Sequence, residues 1–468
     1  MKNQTKRFST AKKQIIKFSS ILLPISMMFN TNCTTSNAQE EHEVTVPKSE
    51  KYISKITEVT TPISKVKDGF PLDFIRETHR NFSTPNWQAA GDQSVYINMN
   101  IPEFINVDIA MPTHEERHLE RKIDADLGNT KFTLEDGSET PTLNEYLNDD
   151  YNRVQGIIMA HKGKVIFEAY PGMKPTDYHV WMSASKTTVG TLAILLESEG
   201  KLDLEKPITY YAKELAGTAW DKVSVKNALN MASGLDLEET TAAFSDPNSW
   251  IEQYFASLFD IEGTGDGWIE VMRRVKPIEG EEPGDRFRYS TAITQALVLA
   301  IESATGQAYK DVFNEKIWSQ VGVHNQFMVG LASDYHAVGG GLVNTTIEDA
   351  LKYAMMYTPS WNVVSDKRVV TPEILERIRT LGDPKAYQGS EEEGYSLEWT
   401  GDIGERNSAQ WDQVWADGAM FKHGNMHQGI YVDADRDFCA FVFSNTPNER
   451  SDKAPGFMRA VAKKVADQ

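Results

Sequence analysis

The chain has 468 residues, 40% of them apolar and 10% aromatic, enough for a sizeable core in two or three domains. Its formal charge is −19, and residues 1–38 hold six Lys/Arg and no acid, so the remainder carries −25; such a surface repels phosphate backbones and argues against a nucleic-acid partner. Two cysteines, Cys33 and Cys439, exclude a disulfide framework and a Cys-rich zinc site.

Residues 1–38 read as an export signal. Lys2, Lys6, Arg7, Lys12, Lys13 and Lys17 precede the apolar run Ile21 to Phe29, which is too short to span a bilayer. Ser36-Asn37-Ala38 places small residues for cleavage before Gln39; lipidation at Cys33 is the alternative, although Asn30-Thr31-Asn32 lacks the usual lipoprotein pattern. No later stretch approaches about 18 consecutive apolar residues. The expectation is an exported, periplasmic or secreted protein without a stable membrane span. Residues 39–67, polar and aperiodic, are expected to be a flexible tether, and 68–150 an N-terminal extension packing on the main domain, 151–468.

Gln155 to Tyr170 reads as a β-hairpin turning at His161-Lys162-Gly163-Lys164. A strong helix, Ser183 to Glu199, stops at Gly200; Asn227 to Met231 and Ala292 to Ala304 are further buried helices. Gln428 to Val432 and Phe438 to Ser444 read as strands around an acidic turn. Strands at both ends enclosing helices predict one sheet closed by N- and C-terminal strands, with a helical subdomain over about 205–385.

Ser183-Ala184-Ser185-Lys186 opens the strong helix, where positions i and i+3 share a face, so the Ser183 hydroxyl and Lys186 amine can meet. A serine needs a base to become a nucleophile, and a lysine can serve if burial lowers its pKa toward neutrality. The N–H groups of a helix start can bind a developing oxyanion.

Further elements follow in order: Gly200-Lys201-Leu202-Asp203-Leu204-Glu205-Lys206-Pro207, Val225 to Leu235, and Gly284-Asp285-Arg286-Phe287-Arg288-Tyr289-Ser290-Thr291. With these the sequence resembles the serine β-lactamase and penicillin-binding-protein superfamily in its class C-like esterase and amidase branch, and within it the 6-aminohexanoate-dimer hydrolases. The stretch Val165 to Tyr170 with Gly172-Met173 carries the latter likeness. The resemblance implies a β-lactamase/transpeptidase-like α/β (α+β) fold, an antiparallel sheet flanked by helices, and cofactor-free covalent catalysis. It implies Ser183 as nucleophile, Lys186 as base and Tyr289 as proton relay; Thr291 stands where many β-lactamases have Asn, so β-lactam turnover is expected to be weak or absent. Lys422-His423-Gly424, before Asn425-Met426-His427-Gln428-Gly429, matches the strand flanking the nucleophile. By resemblance the backbone N–H groups of Asn425 and Ser183 form an oxyanion hole, with Gly424, Lys422 and His423 lining the pocket. Gly339-Gly340-Gly341-Leu342 matches a turn read as structural.

The expected substrate is a small or oligomeric ester or amide. A β-lactamase or a D-amino-acid or cell-wall peptidase of the same fold is the near alternative. Two readings from other classes remain. His114-Glu115-Glu116-Arg117-His118 fits the zinc-peptidase spacing, although its surroundings are charged nearly all round and no third ligand stands out. A non-catalytic penicillin-recognising binder would lose Ser183, Lys186 or Tyr289, and all are present.

Overall fold

The computed structural model describes residues 61–466, apart from 89, 247, 260–265 and 448–450. The expected leader, Cys33 and most of the expected tether lie outside the described residues. Among the described residues eleven strands are numbered in chain order: β1 Val107–Ala110, β2 Val154–His161, β3 Lys164–Ala169, β4 Tyr178–Val180, β5 Phe327–Gly330 and β6 Val343–Thr346. The C-terminal set is β7 Arg406–Ser408, β8 Trp411–Val414, β9 Met420–Gly424, β10 Gln428–Asp433 and β11 Phe438–Ser444.

The main sheet has seven strands in the order β3-β2-β11-β10-β9-β8-β7, all antiparallel. The N-terminal hairpin therefore joins the C-terminal strands through β2 and β11, with Ile158 opposite Phe441 and Ala160 opposite Cys439. Its turn carries Lys162 at φ 49° and Gly163 at φ 74°, the pair of positive φ values whose twist matches a two-residue hairpin.

Alternation decides which side chains each face buries. Ile158, Ala160, Met420, Ile430, Val432 and Phe441 face the helices, while Ile157, Met159, Phe421, Tyr431, Ala440 and Val442 face the helix Ala454–Ala466 and the segment around Leu143, Tyr146 and Leu147. Both faces are covered, which is why β11 reads as an unbroken apolar run. The helix Lys186–Ser198 lies beneath the sheet, and its approach is close at Gly190, where a Cβ would stand 2.1 Å from the Ala409 carbonyl oxygen.

Two boundaries differ from the sequence expectation. The expected tether, 39–67, is already built into the domain by Ile63, because Ile63 and Val66 are buried against Val95. Nearby Arg153 donates to the Thr61 carbonyl at 3.0 Å and pairs with Asp92 at 2.9 Å. The span 205–385 is not purely helical either: it contributes β5 and β6 to a four-stranded sheet ordered β1-β5-β6-β4, whose strands are too short to show a clear period. Among the described residues no helix is long and apolar enough to cross a membrane.

Candidate active site

Ser183 sits not on the long helix but on a single 3-10 turn, Met182–Ser185, that leads into it. In 3-10 geometry residues three apart eclipse, which brings Ser183 over Lys186 more directly than an α-helix does. Met182 before it holds φ 47°, a left-handed conformation uncommon for a non-glycine residue and one that aims the turn.

Lys186 is fully buried, and its Nζ bonds three oxygens: Ser183 Oγ at 2.8 Å, Gly340 O at 2.8 Å and Thr291 Oγ1 at 3.0 Å. Burial pushes its pKa down to about 7, opposed by Glu239 and helped by Lys422. The glycine turn read as structural thus supplies an acceptor to the base, and Thr291 supplies another.

Tyr289 precedes the N-cap Ser290 of the helix Thr291–Thr305, and its carbonyl accepts the Glu239 N–H at 2.9 Å. Its hydroxyl accepts a bond from Lys422 Nζ at 3.2 Å. The Lys186 and Lys422 ammonium groups lie 5.1 Å and 4.7 Å from its ring centroid. Burial and the carboxylates of Asp412 and Glu239 drive the phenol well above its usual pKa, so Tyr289 stays protonated and acts as a donor.

Lys422, on β9, is buried and paired with Asp412 of β8 at 2.7 Å; burial lowers its pKa although Asp412 opposes this. Gly424 ends the strand against the nucleophile turn: a Cβ there would stand 2.7 Å from Trp181 O and 3.0 Å from Ser183 N. Only a residue without a side chain allows this approach of Gly424 to the Ser183 turn.

His423 does not line this pocket. It follows Lys422 on the same strand and so points to the other face. There it packs on Trp399 with centroids 4.6 Å apart and approaches the fully buried Asp452 at 3.6 Å. His427 lies 3.9 Å from Asp452, and Tyr146 bonds the same carboxyl at 3.4 Å. Burial raises the Asp452 pKa to about 7 and takes His423 well below its usual value.

The zinc-peptidase spacing finds no helix. Residues 111–120 are irregular, and His114 and His118 are exposed, so no shared face exists for two ligands. Glu116 instead bridges His118 at 3.3 Å and His324 at 2.6 Å.

Sequence reasoning missed three acids. Glu239 accepts the Thr291 N–H, Asp412 holds Lys422 and the His423 N–H, and Glu392 of the helix Glu391–Thr400 lies near Asp412 with its pKa raised by burial. Asp412 left one signal, an acid inside the otherwise uncharged strand Trp411–Val414; Glu239 and Glu392 sit in charged stretches and left none.

A family model described as Beta-lactamase matches residues 153–463. The 6-aminohexanoate-dimer hydrolase of Paenarthrobacter ureafaciens is 27% identical over 225 residues, covering 48% of this chain and 56% of that protein; the chain thus matches little over half the length of this relative. A solved structure from Bacillus anthracis, provisionally assigned as a 6-aminohexanoate-dimer hydrolase, superposes with TM-score 0.63 at 18% identity, covering 82% of this chain and 98% of that one. A provisionally assigned β-lactamase from Bacteroides dorei DSM 17855 gives TM-score 0.51 at 16% identity, with 70% and 97% covered. At these identities the structures show a shared fold, the β-lactamase/transpeptidase-like one.

Proposed function

This chain belongs to the β-lactamase family, and on that premise we propose that it is a serine hydrolase that cleaves an ester or amide bond through an acyl-enzyme on Ser183. The observation that carries the reading is the contact of Ser183 Oγ with a buried lysine amine, 2.8 Å away, whose pKa falls to about 7. Neutral Lys186 takes the hydroxyl proton as Oγ attacks the carbonyl carbon. The carbonyl oxygen becomes an oxyanion facing the backbone N–H groups of Ser183 and Asn425. Tyr289 donates a proton to the departing alcohol or amine and recovers one from Lys186, which is thereby neutral again. Water then attacks the acyl-enzyme with Lys186 again as base, releasing the acid and restoring Ser183.

The likeness to 6-aminohexanoate-dimer hydrolases favours small linear amides and short-chain esters as substrates. The basic, then apolar, leader supports export, where polymer fragments or cell-wall peptides would be met. The test is hydrolysis of p-nitrophenyl acetate and of the linear 6-aminohexanoate dimer by the wild type and Ser183→Ala, each with and without a chelator. Chelator-insensitive turnover that is lost in Ser183→Ala is expected; turnover retained by Ser183→Ala would refute the proposal.

A further inference from the structure

The family match starts at residue 153, yet the extension before it reaches the turn that carries Asn425. The helix Thr84–Gln88 sets the Gln88 carboxamide against this turn, and Asn425 Nδ2 donates to Gln88 Oε1. Asn425 Oδ1 accepts the Met426 N–H at 3.1 Å, so one side chain bridges the extension and its own turn. The next residue is held from the same side: Ser94 Oγ lies 3.0 Å and Asn98 Nδ2 3.7 Å from Met426 Sδ. These groups are fixed in turn, because Trp87 Nε1 donates to Asn98 Oδ1 at 2.6 Å and Asn98 Nδ2 to Asn445 Oδ1 at 2.7 Å.

The turn needs such support. Met426 at φ 58° and His427 at φ 66° are consecutive non-glycine residues in the left-handed region, a conformation that persists only where its surroundings over-determine it. Ser94 and Asn98 are fully buried and Met426 has no exposed surface, so the extension grips the turn in a close-packed contact.

We propose that the N-terminal extension is a positioning element for catalysis, in which Gln88 clamps the Asn425 carboxamide and so aims the Asn425 N–H at the oxyanion. Gln88 is a positioning residue, acting through Asn425 and touching no reacting atom. The inference rests on the acyl-enzyme reading above and on Asn425 as an oxyanion donor. A peptide displaced by about 1 Å costs on the order of 100-fold in rate, and loss of one oxyanion donor about 100- to 1000-fold. A loosened clamp belongs at or below the first of these.

The experiment uses the full chain as wild type, Gln88→Met, Asn425→Ala and the double variant. For each, kcat and KM are measured on p-nitrophenyl acetate, together with the Kd of phenylboronic acid, whose tetrahedral serine adduct places an oxygen in the hole. Gln88→Met is expected to lose about 10- to 100-fold in kcat with KM changed less than about 2-fold, and boronate affinity to weaken in parallel. The double variant is expected to match Asn425→Ala within about 3-fold, because both changes break the same clamp. A wild-type kcat in Gln88→Met, a loss confined to KM, or multiplicative losses in the double variant would overturn the proposal. Should Gln88→Met not fold, Gln88→Ala takes its place with the same expectations. Turnover that survives Ser183→Ala would remove the hydrolase reading itself, whereas Ser183-dependent turnover with an unaltered Gln88→Met removes the clamp alone.

Discussion

Replacing Lys422 with Met isolates the charge that helps keep Lys186 neutral. Both ammonium nitrogens face one ring, at 5.1 Å and 4.7 Å from its centroid, so they are no more than about 10 Å apart. At an effective dielectric of about 20, two unit charges at that separation repel by about 1.7 kcal/mol, a little over one pKa unit. Lys422→Met leaves in place the Asp412 carboxylate, which already raises the Lys186 pKa, and removes the cation that offsets it. In the wild type kcat/KM should rise with pH through about 7 as Lys186 loses its proton. In Lys422→Met this limb should move up by at least about one unit, whatever happens to the maximal rate. Lys422→Met with Asp412→Asn removes both charges of the pair, and the limb should return most of the way. The assay is kcat/KM for p-nitrophenyl acetate from pH 5.5 to 9.5, corrected for spontaneous hydrolysis. A limb that stays in place, or moves down, in Lys422→Met would refute the assignment of that limb to Lys186.

Two other substitutions probe the surroundings. Gly424→Ala puts a methyl 2.7 Å from the Trp181 carbonyl and 3.0 Å from Ser183 N, both backbone atoms that cannot turn aside. It should cost about 1–3 kcal/mol in urea unfolding and at least about 10-fold in kcat; a wild-type kcat would contradict the described approach of β9 to the nucleophile turn. Asp452→Asn should stabilise the protein at high pH. The Asp452 pKa is raised by burial to about 7, so the unfolded carboxyl ionises first and stability falls as pH climbs from about 4 to 7. Asn can still accept the Ala454 N–H and the Tyr146 hydroxyl, so the variant should exceed the wild type by about 2–4 kcal/mol at pH 8 and approach it below pH 4. A gain independent of pH would show that charge is not the cause.

What could be read from the sequence was whatever local spacing encodes. The hairpin followed from alternation and a glycine turn, and the β2–β11 closure from strands at both ends of the domain. Ser183 and Lys186 are three residues apart, so any helical turn brings them together; Tyr289 and Lys422 came from the family resemblance that the order of motifs carries. The remainder depends on distant partners. Glu239 and Asp412 act through tertiary contacts 52 residues from Thr291 and 10 residues from Lys422, and acids of that kind are common on any surface. The Gly340 carbonyl is a backbone group that no side-chain pattern announces. His423 was misplaced for a different reason: the two-residue period of a strand already requires it to face away from Lys422, and the motif obscured this. The zinc-like spacing failed because two histidines four apart converge only on a helix, and Pro112 with the charged residues after it does not build one.

The most direct measurement is the intact mass of the protein after brief exposure to p-nitrophenyl acetate and, separately, to a fluorophosphonate, for the wild type and Ser183→Ala. The account predicts one acetyl or one phosphonyl adduct per wild-type chain, formed with or without a chelator and absent from Ser183→Ala. An adduct that persists in Ser183→Ala, or hydrolysis that a chelator abolishes without any adduct, would contradict it.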